Sequence, residues 1–385
     1  MNAPELKEVI AKRRQYVEYT LKHQTLPRNL KKHMRVIELL NWHIKLAFLG
    51  SDDQLRKMVT SLCLNNVRYA LTMIRDYYRS YHGIFGGLLP GFISTGKLPS
   101  EGVVIITQEI SHFLQNLMLG NNWSYDQTES EIFNVFDVDP NEQSSHFLAL
   151  RVLAYLSRFS PKQIVQYEKL CKDFVYMGDQ RHQLDASIRR LLGASLILSP
   201  NIPQSTLQKR DTDFLSQIPK DLRLVLSARG YYYLYHIVSH EYYQTRVGED
   251  TCWYDEEKLT AYSRALKDAL DVQEVYGRQD VLLHETQARN IFLQYLRKAL
   301  YEEAQSGRLR SQSELSRIVN SIVEQNIFGE LVTSTVYMLE DGSDDTPPPS
   351  LVTKTPPIKI NLQRRVQVTN ESTDSGFTWH LKISK

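Results

Sequence analysis

At 385 residues, with 42% apolar and 23% charged side chains, the chain exceeds one typical core and has the composition to fold into roughly two or three modules. Lysine and arginine (46) nearly cancel aspartate and glutamate (44) at a net charge of +2, so bulk charge argues for neither a nucleic-acid binder nor a membrane-surface protein. Any basic site is local.

Three cysteines, Cys63, Cys171 and Cys252, stand far apart without CxxC or Cys/His spacing, a usage that suits a reducing cytosol. The start "MNAPELKEVIAKRRQYVEY" is charged where a signal peptide is apolar, and no run approaches the roughly 20 apolar residues of a membrane span. A cytoplasmic protein is expected.

In chain order, Leu6, Ile10, Val17 and Leu21 recur at helical spacing up to Pro27. A second helix is expected over 30–49, and a third from "SDDQL", with Ser51 or Asp52 as cap, to about Tyr81. After the glycine-rich 82–102, Thr107 is expected to cap a short helix that Gly120 ends. An extended "IFNVF" then leads past Pro140 to a helix carrying Leu148, Val152, Leu153 and Leu156, followed by helices over about 162–174 and 179–192. The short apolar runs "ASLILSP" and "DLRLVLS" read as a two-stranded ribbon. Three helices and a ribbon spell a winged helix.

Three more helical stretches fill 256–328, and "EDGSDDTPPPSLVTKTPP" reads as a disordered linker. "IKINLQRRVQV" and "FTWHLKIS" alternate as two paired strands would. The expected fold class is mainly α: a helical bundle at 1–135, a winged helix at 136–255, further helices at 256–339, the linker at 340–357 and a β-hairpin at 358–385.

"SARGYYYLYHIVSHEYY", from Ser227 to Tyr243, holds six tyrosines. On a helical wheel Tyr231, Leu234, Tyr235, Val238 and Tyr242 form a core stripe. The opposite side, with Tyr232, Tyr233, His236, His240 and Tyr243, is too aromatic for a solvated face and needs a cover: the following helices, or stacked nucleic-acid bases. His236 and His240 stand one turn apart beside Glu241, but no third ligand accompanies them and no metal site is expected.

"GFISTGK" (Gly91–Lys97) satisfies the string of a phosphate-binding loop, yet Leu98 stands where a magnesium-binding hydroxyl belongs, and Pro99 follows where a helix should open. "VVIITQE" lacks the Asp of a Walker B strand. Neither is read as functional.

The succession "PELKEVIAKRRQYVEYTL", "LCLNNVRYALTMIRDYYRS", "FISTGKL", "EISHFLQNLMLGNNWSYD", "SEIFNVFDVD", "LRVLAYLSRF" and "LRLVLSARGYYYLYHIVSHEYYQTRVGEDTCWYDEE" resembles the C-terminal half of bacterial AAA+ or STAND-like P-loop ATPases. In that family a P-loop core precedes a helical lid and a winged helix. The resemblance covers roughly Pro4–Glu257 and begins after the family's core. It implies the lid and winged-helix part of such an ATPase, either a piece of a longer protein or a partner of a core on another chain, in bacterial sensing, defence or DNA transactions. ATP with magnesium would then be bound mainly by that core, and the chain is expected to have no ATPase activity of its own.

"NNVRYAL" resembles the family's sensor-2 segment and implies nucleotide contact for Arg68, whose forked donors suit phosphate oxygens. The third helix of the winged helix would be the recognition helix, with His182, Arg189 and Arg190 outward and Arg181 at the edge, suited to phosphate and base-edge contact. Lys209 and Arg210 fall in the wing loop. The same surface would also serve to dock a protein, so the expected partner is DNA or protein, and homo-oligomerisation is left open.

Overall fold

The computed structural model describes residues 5–23, 34–50, 53–79, 106–120, 122–139, 144–159, 163–202, 218–275, 278–305 and 314–329, with short strands between 367 and 382. The chain divides into two compact units, Met1–Trp123 with Glu129–Glu131, and Ser124–Thr128 with Ile132–Lys385.

The first unit is a helical bundle: α1 (Leu6–His23), α2 (Met34–Ile44) running into a π-helical turn (Lys45–Leu49), α3 (Gln54–Leu62), α4 (Val67–Arg79) and α5 (Ile106–Leu119). α1 packs on the π-turn and on α3, and α3 on α4 and α5. Leu6 and Ile10 of α1 join Phe48, Leu55, Met58, Leu62, Tyr77 and Phe113 in its core. The helix expected from the "SDDQL" stretch to about Tyr81 is instead two, because Leu64 and Asn65 adopt left-handed φ values of 50° and 62° and turn the chain. Thr107 lies inside α5 rather than capping it, while Gly120, at φ +57°, ends the helix as expected. Ser51, Asp52 and Gly91–Lys97 lie outside the described residues.

The second unit opens on 132–139 and continues into the winged helix. α6 (Leu148–Ser157) is followed by β1 (Val165–Gln166), α7 (Tyr167–Tyr176), α8 (Arg181–Gly193), β2 (Ile197–Leu198) and β3 (Arg223–Leu226). The sheet has three antiparallel strands in the order β1-β3-β2, with Val165 opposite Leu224 and Ile197 opposite Leu226. The expected ribbon thus gains a strand from the residues just before α7, and α7 begins at Tyr167 rather than near 162. Ser227 closes the motif: its hydroxyl accepts from the Gly230 N–H (2.8 Å) and bonds the Ser195 and Leu196 carbonyls. Gly230 is required there, since a Cβ would overlap the Leu196 carbonyl oxygen.

The tyrosine-rich stretch is not one helix. α9 (Ala228–Tyr232) passes through a π-helical turn (Tyr233–Ile237), and His240 caps a separate α10 (Glu241–Arg246) by accepting from the Tyr242 N–H at 3.2 Å. A π-turn holds more residues than an α-turn, so the phase of a 100° wheel is lost beyond it. Leu234 and Val238 are buried as expected, but Tyr231 of the supposed core stripe is 52% exposed, whereas Tyr233 and Tyr243 of the supposed outer side are fully buried.

What covers those two rings is the 132–139 segment. It is no strand but an irregular run held by side chains: the Phe133 N–H donates to the Tyr233 hydroxyl (2.7 Å), and the Val135 N–H donates to the Tyr243 hydroxyl (3.1 Å). Asn134 fastens the same run to the Val247 carbonyl and the Thr251 hydroxyl. The cover is therefore intramolecular.

α11 (Glu256–Val275), α12 (Arg278–Gln305) and α13 (Glu314–Phe328) complete the unit, α13 on α6 and α12 on α10 and α11. The Arg151 guanidinium, 3% exposed on α6, donates to Glu303 of α12 (2.7 Å) and Asn320 of α13 (2.9 Å), so an ion pair joins the winged helix to the later helices. A nested hairpin follows: β4 (Gln367–Thr369) pairs with β7 (His380–Lys382) and β5 (Ser372–Thr373) with β6 (Gly376–Phe377). The linker read at 340–357 lies outside the described residues. No helix among the described residues is long and apolar enough to cross a membrane.

Candidate functional site: the exposed tip of the winged helix

α7 buries Tyr167, Leu170, Cys171 and Phe174, which leaves Lys172, Val175 and Tyr176 outside. With Gln180, Arg181 and His182 at the start of α8 they make a continuous exposed tip, Tyr176 standing 75% exposed. In helix-turn-helix proteins that bind DNA, this end of the second helix meets base edges. Gln180 has an extended backbone, and α8 turns its buried stripe of Leu184, Ile188, Leu191 and Leu192 into the core, so Arg181 and His182 are left outward.

The tip is basic because its acids point inward. Asp173 accepts from the Tyr155 hydroxyl at 2.6 Å, Asp185 accepts from the Tyr167 hydroxyl, and Asp179 stands 4.0 Å from the buried Arg151 guanidinium. Burial raises the pKa of both phenols, with their carboxylate partners adding to the shift, so each remains a protonated donor. Arg181 is steadied from behind: its guanidinium lies 5.7 Å from the centroid of the Tyr167 ring, and the neighbouring Tyr167, with a smaller part from Asp185, raises its pKa. Its positive charge stays at the surface.

The C-terminal half of α8 differs from expectation. Arg190 is not outward: it reaches the Asp137 carboxylate at 3.2 Å, bonds the Asp137 carbonyl, and lies 5.2 Å from the centroid of the Phe133 ring, with its side chain 28% exposed. The reason is the 132–139 run, which passes beside α8 and supplies the anion. Arg189 is half-buried and lines a cleft shared with that run. Of the sequence candidates on α8, Arg181 and His182 are brought together at the exposed tip; Lys209 and Arg210 lie outside the described residues.

Lys172, Val175 and Tyr176 were not singled out by the sequence, although Lys172 and Tyr176 are four apart on the side of α7 opposite its apolar stripe. That spacing was the available signal.

In the helical bundle, Arg68 sits in the first turn of α4, which Asn66 caps by accepting from the Tyr69 N–H at 3.1 Å. Arg68 is exposed, since the buried stripe of α4 is Ala70, Met73, Ile74 and Tyr77. It does not line the cleft of about 440 Å³ between the start of α1, α3 and the start of α4. Two cations of that cleft, Arg56 and Lys57, are paired with Asp53.

No protein-family model matches the chain, and no curated protein and no solved structure matches it.

Proposed function

We infer that the chain is a winged-helix adaptor whose α7–α8 tip contacts the sugar-phosphate backbone of a nucleic acid. One observation carries this: Asp173, Asp179 and Asp185 are each turned inward onto a phenol or a guanidinium, while Lys172, Arg181 and His182 remain exposed. Cations gathered at a winged-helix tip attract phosphates and release condensed counter-ions, and the exposed Tyr176 adds a ring on which an unpaired base can stack. The test is fluorescence anisotropy with duplex and single-stranded DNA. Lys172→Ala with Arg181→Ala should weaken binding about tenfold or more at low salt. An affinity unchanged by the double substitution would exclude the tip.

A part in a P-loop ATPase, with a core elsewhere supplying ATP and magnesium sites, agrees with the order of helical bundle and winged helix and with the exposure of Arg68 on the first turn of α4. In that role Arg68 would reach the nucleotide and the tip would hold the DNA or protein partner. ATP turnover by this chain alone, abolished by Lys97→Ala, would contradict it.

A further inference from the structure

α1 buries Leu6 and Ile10, and at about 100° per residue the side of the helix turned away from them carries Lys12, Tyr16, Tyr19 and His23 within about 60° of one another. All four are exposed, Tyr16 by 67% and Tyr19 by 57%. Arg13 and Lys22, also exposed, flank them. The acid of this stretch is withdrawn: Glu18 is bonded by Arg14 and accepts from the Asn41 amide of α2 at 3.2 Å. The exposed acids Glu5 and Glu8 stand toward the other end, at least about 12 Å along the axis from Tyr16 at about 1.5 Å per residue. From Lys12 to His23 the helix therefore presents cations interleaved with rings.

Two of the rings already form a stack. The His23 Nδ1 donates to the Tyr19 carbonyl one turn back at 3.1 Å, and the imidazole lies on the phenol with centroids 4.6 Å apart and planes 18° from parallel. Tyr16, three residues before Tyr19, is its neighbour on the same face.

The chemistry of this face selects its occupant. A lipid surface calls for a broad apolar face rich in Leu, Phe or Trp, whereas the aliphatic Leu6 and Ile10 are in the core and the exposed side offers phenols. An intact duplex presents phosphates to the cations but keeps its base faces stacked inside, so the rings gain nothing from it. An unpaired strand uses both parts: its phosphates meet Lys12, Arg13 and Lys22, and its bases lie on Tyr16 and on the Tyr19–His23 pair.

We propose that the exposed face of α1 is a second nucleic-acid site, one that takes single-stranded DNA or RNA by base stacking without regard to sequence. It lies in the helical bundle, shares no residue with the α7–α8 tip, and stands whether or not the tip binds nucleic acid.

The experiment is fluorescence anisotropy of the full chain at low salt with oligothymidylate of about 12 nucleotides, an abasic strand of the same length and a blunt duplex. Tyr16→Ala with Tyr19→Ala should weaken oligothymidylate binding at least about tenfold. The same pair should leave the duplex affinity and the circular-dichroism spectrum unchanged, since both side chains stand in solvent. Tyr16→Phe with Tyr19→Phe should bind as the unaltered chain does, because the ring and not the hydroxyl carries the stack. The abasic strand should bind the unaltered chain about as weakly as oligothymidylate binds the alanine pair. In a chain that also carries Lys172→Ala and Arg181→Ala the alanine pair should have the same effect, which keeps a failure of the tip distinct from a failure here. An oligothymidylate affinity indifferent to the alanine pair would overturn the proposal. So would an abasic strand, polyglutamate or phosphatidylserine vesicles bound as tightly as oligothymidylate.

Discussion

Protonation of His240 would remove the acceptor that caps α10. Its ring must be neutral to take the Tyr242 N–H, and burial pushes its pKa down to about 4 from an ordinary 6.5, with Arg289 lowering it further and Glu241 opposing. His146 behaves alike, buried with one nitrogen facing the Phe136 carbonyl and the other the Tyr295 hydroxyl, each at 2.7 Å, and burial lowers its pKa too. Between about pH 6.5 and 4 the unfolded chain binds more protons at His240 than the folded one. Stability from this group is therefore complete above 6.5 and declines as pH falls through 4, by about 3 kcal/mol in all. An NMR titration of the imidazoles should find His240 still neutral at pH 5.5; an ordinary midpoint near 6.5 would contradict the cap. Nothing in the sequence marked His240 for this, because its role depends on the break that separates α9 from α10.

At the scale of elements, the helices and the wing strands were legible because they express local rules. Apolar spacing gave α6, α8 and the three long C-terminal helices, and strand-forming runs gave β2 and β3. What was illegible came from long-range contact. Two rings of the supposed outer side, Tyr233 and Tyr243, do have a cover, but it is neither the following helices nor stacked bases: it is the backbone of 132–139, reached by hydroxyls across some hundred residues of chain, and no wheel can display that, while His236 of the same side is exposed. Helical spacing alone puts Arg190 outward for the same reason: its partner Asp137 is 53 residues away. Arg151 is a third case, a lone arginine on an otherwise apolar helix whose partners Glu303 and Asn320 lie on α12 and α13. Removing it leaves Glu303 buried without its counter-charge, so Arg151→Ala should destabilise the fold by about 3–5 kcal/mol in urea denaturation. A loss under 1 kcal/mol would mean that the ion pair does not join the winged helix to α12 and α13.

For the whole molecule, the winged helix is not a free-standing reader attached by a tether. α13 packs on α6, and the 132–139 run packs beside α8, so half of α8 is committed to intramolecular contact and its first turn, with the end of α7, is left exposed for the proposed partner. A contact of that size should be backbone-directed and weakly sequence-selective. The most direct measurement is the affinity of the intact chain for duplex DNA as a function of salt. With Lys172 and Arg181 as the cations in play, log K should fall linearly with log salt at a slope of about −2. A flat dependence, or no binding at low salt, would contradict a nucleic-acid-binding tip and leave protein docking as the use of this surface.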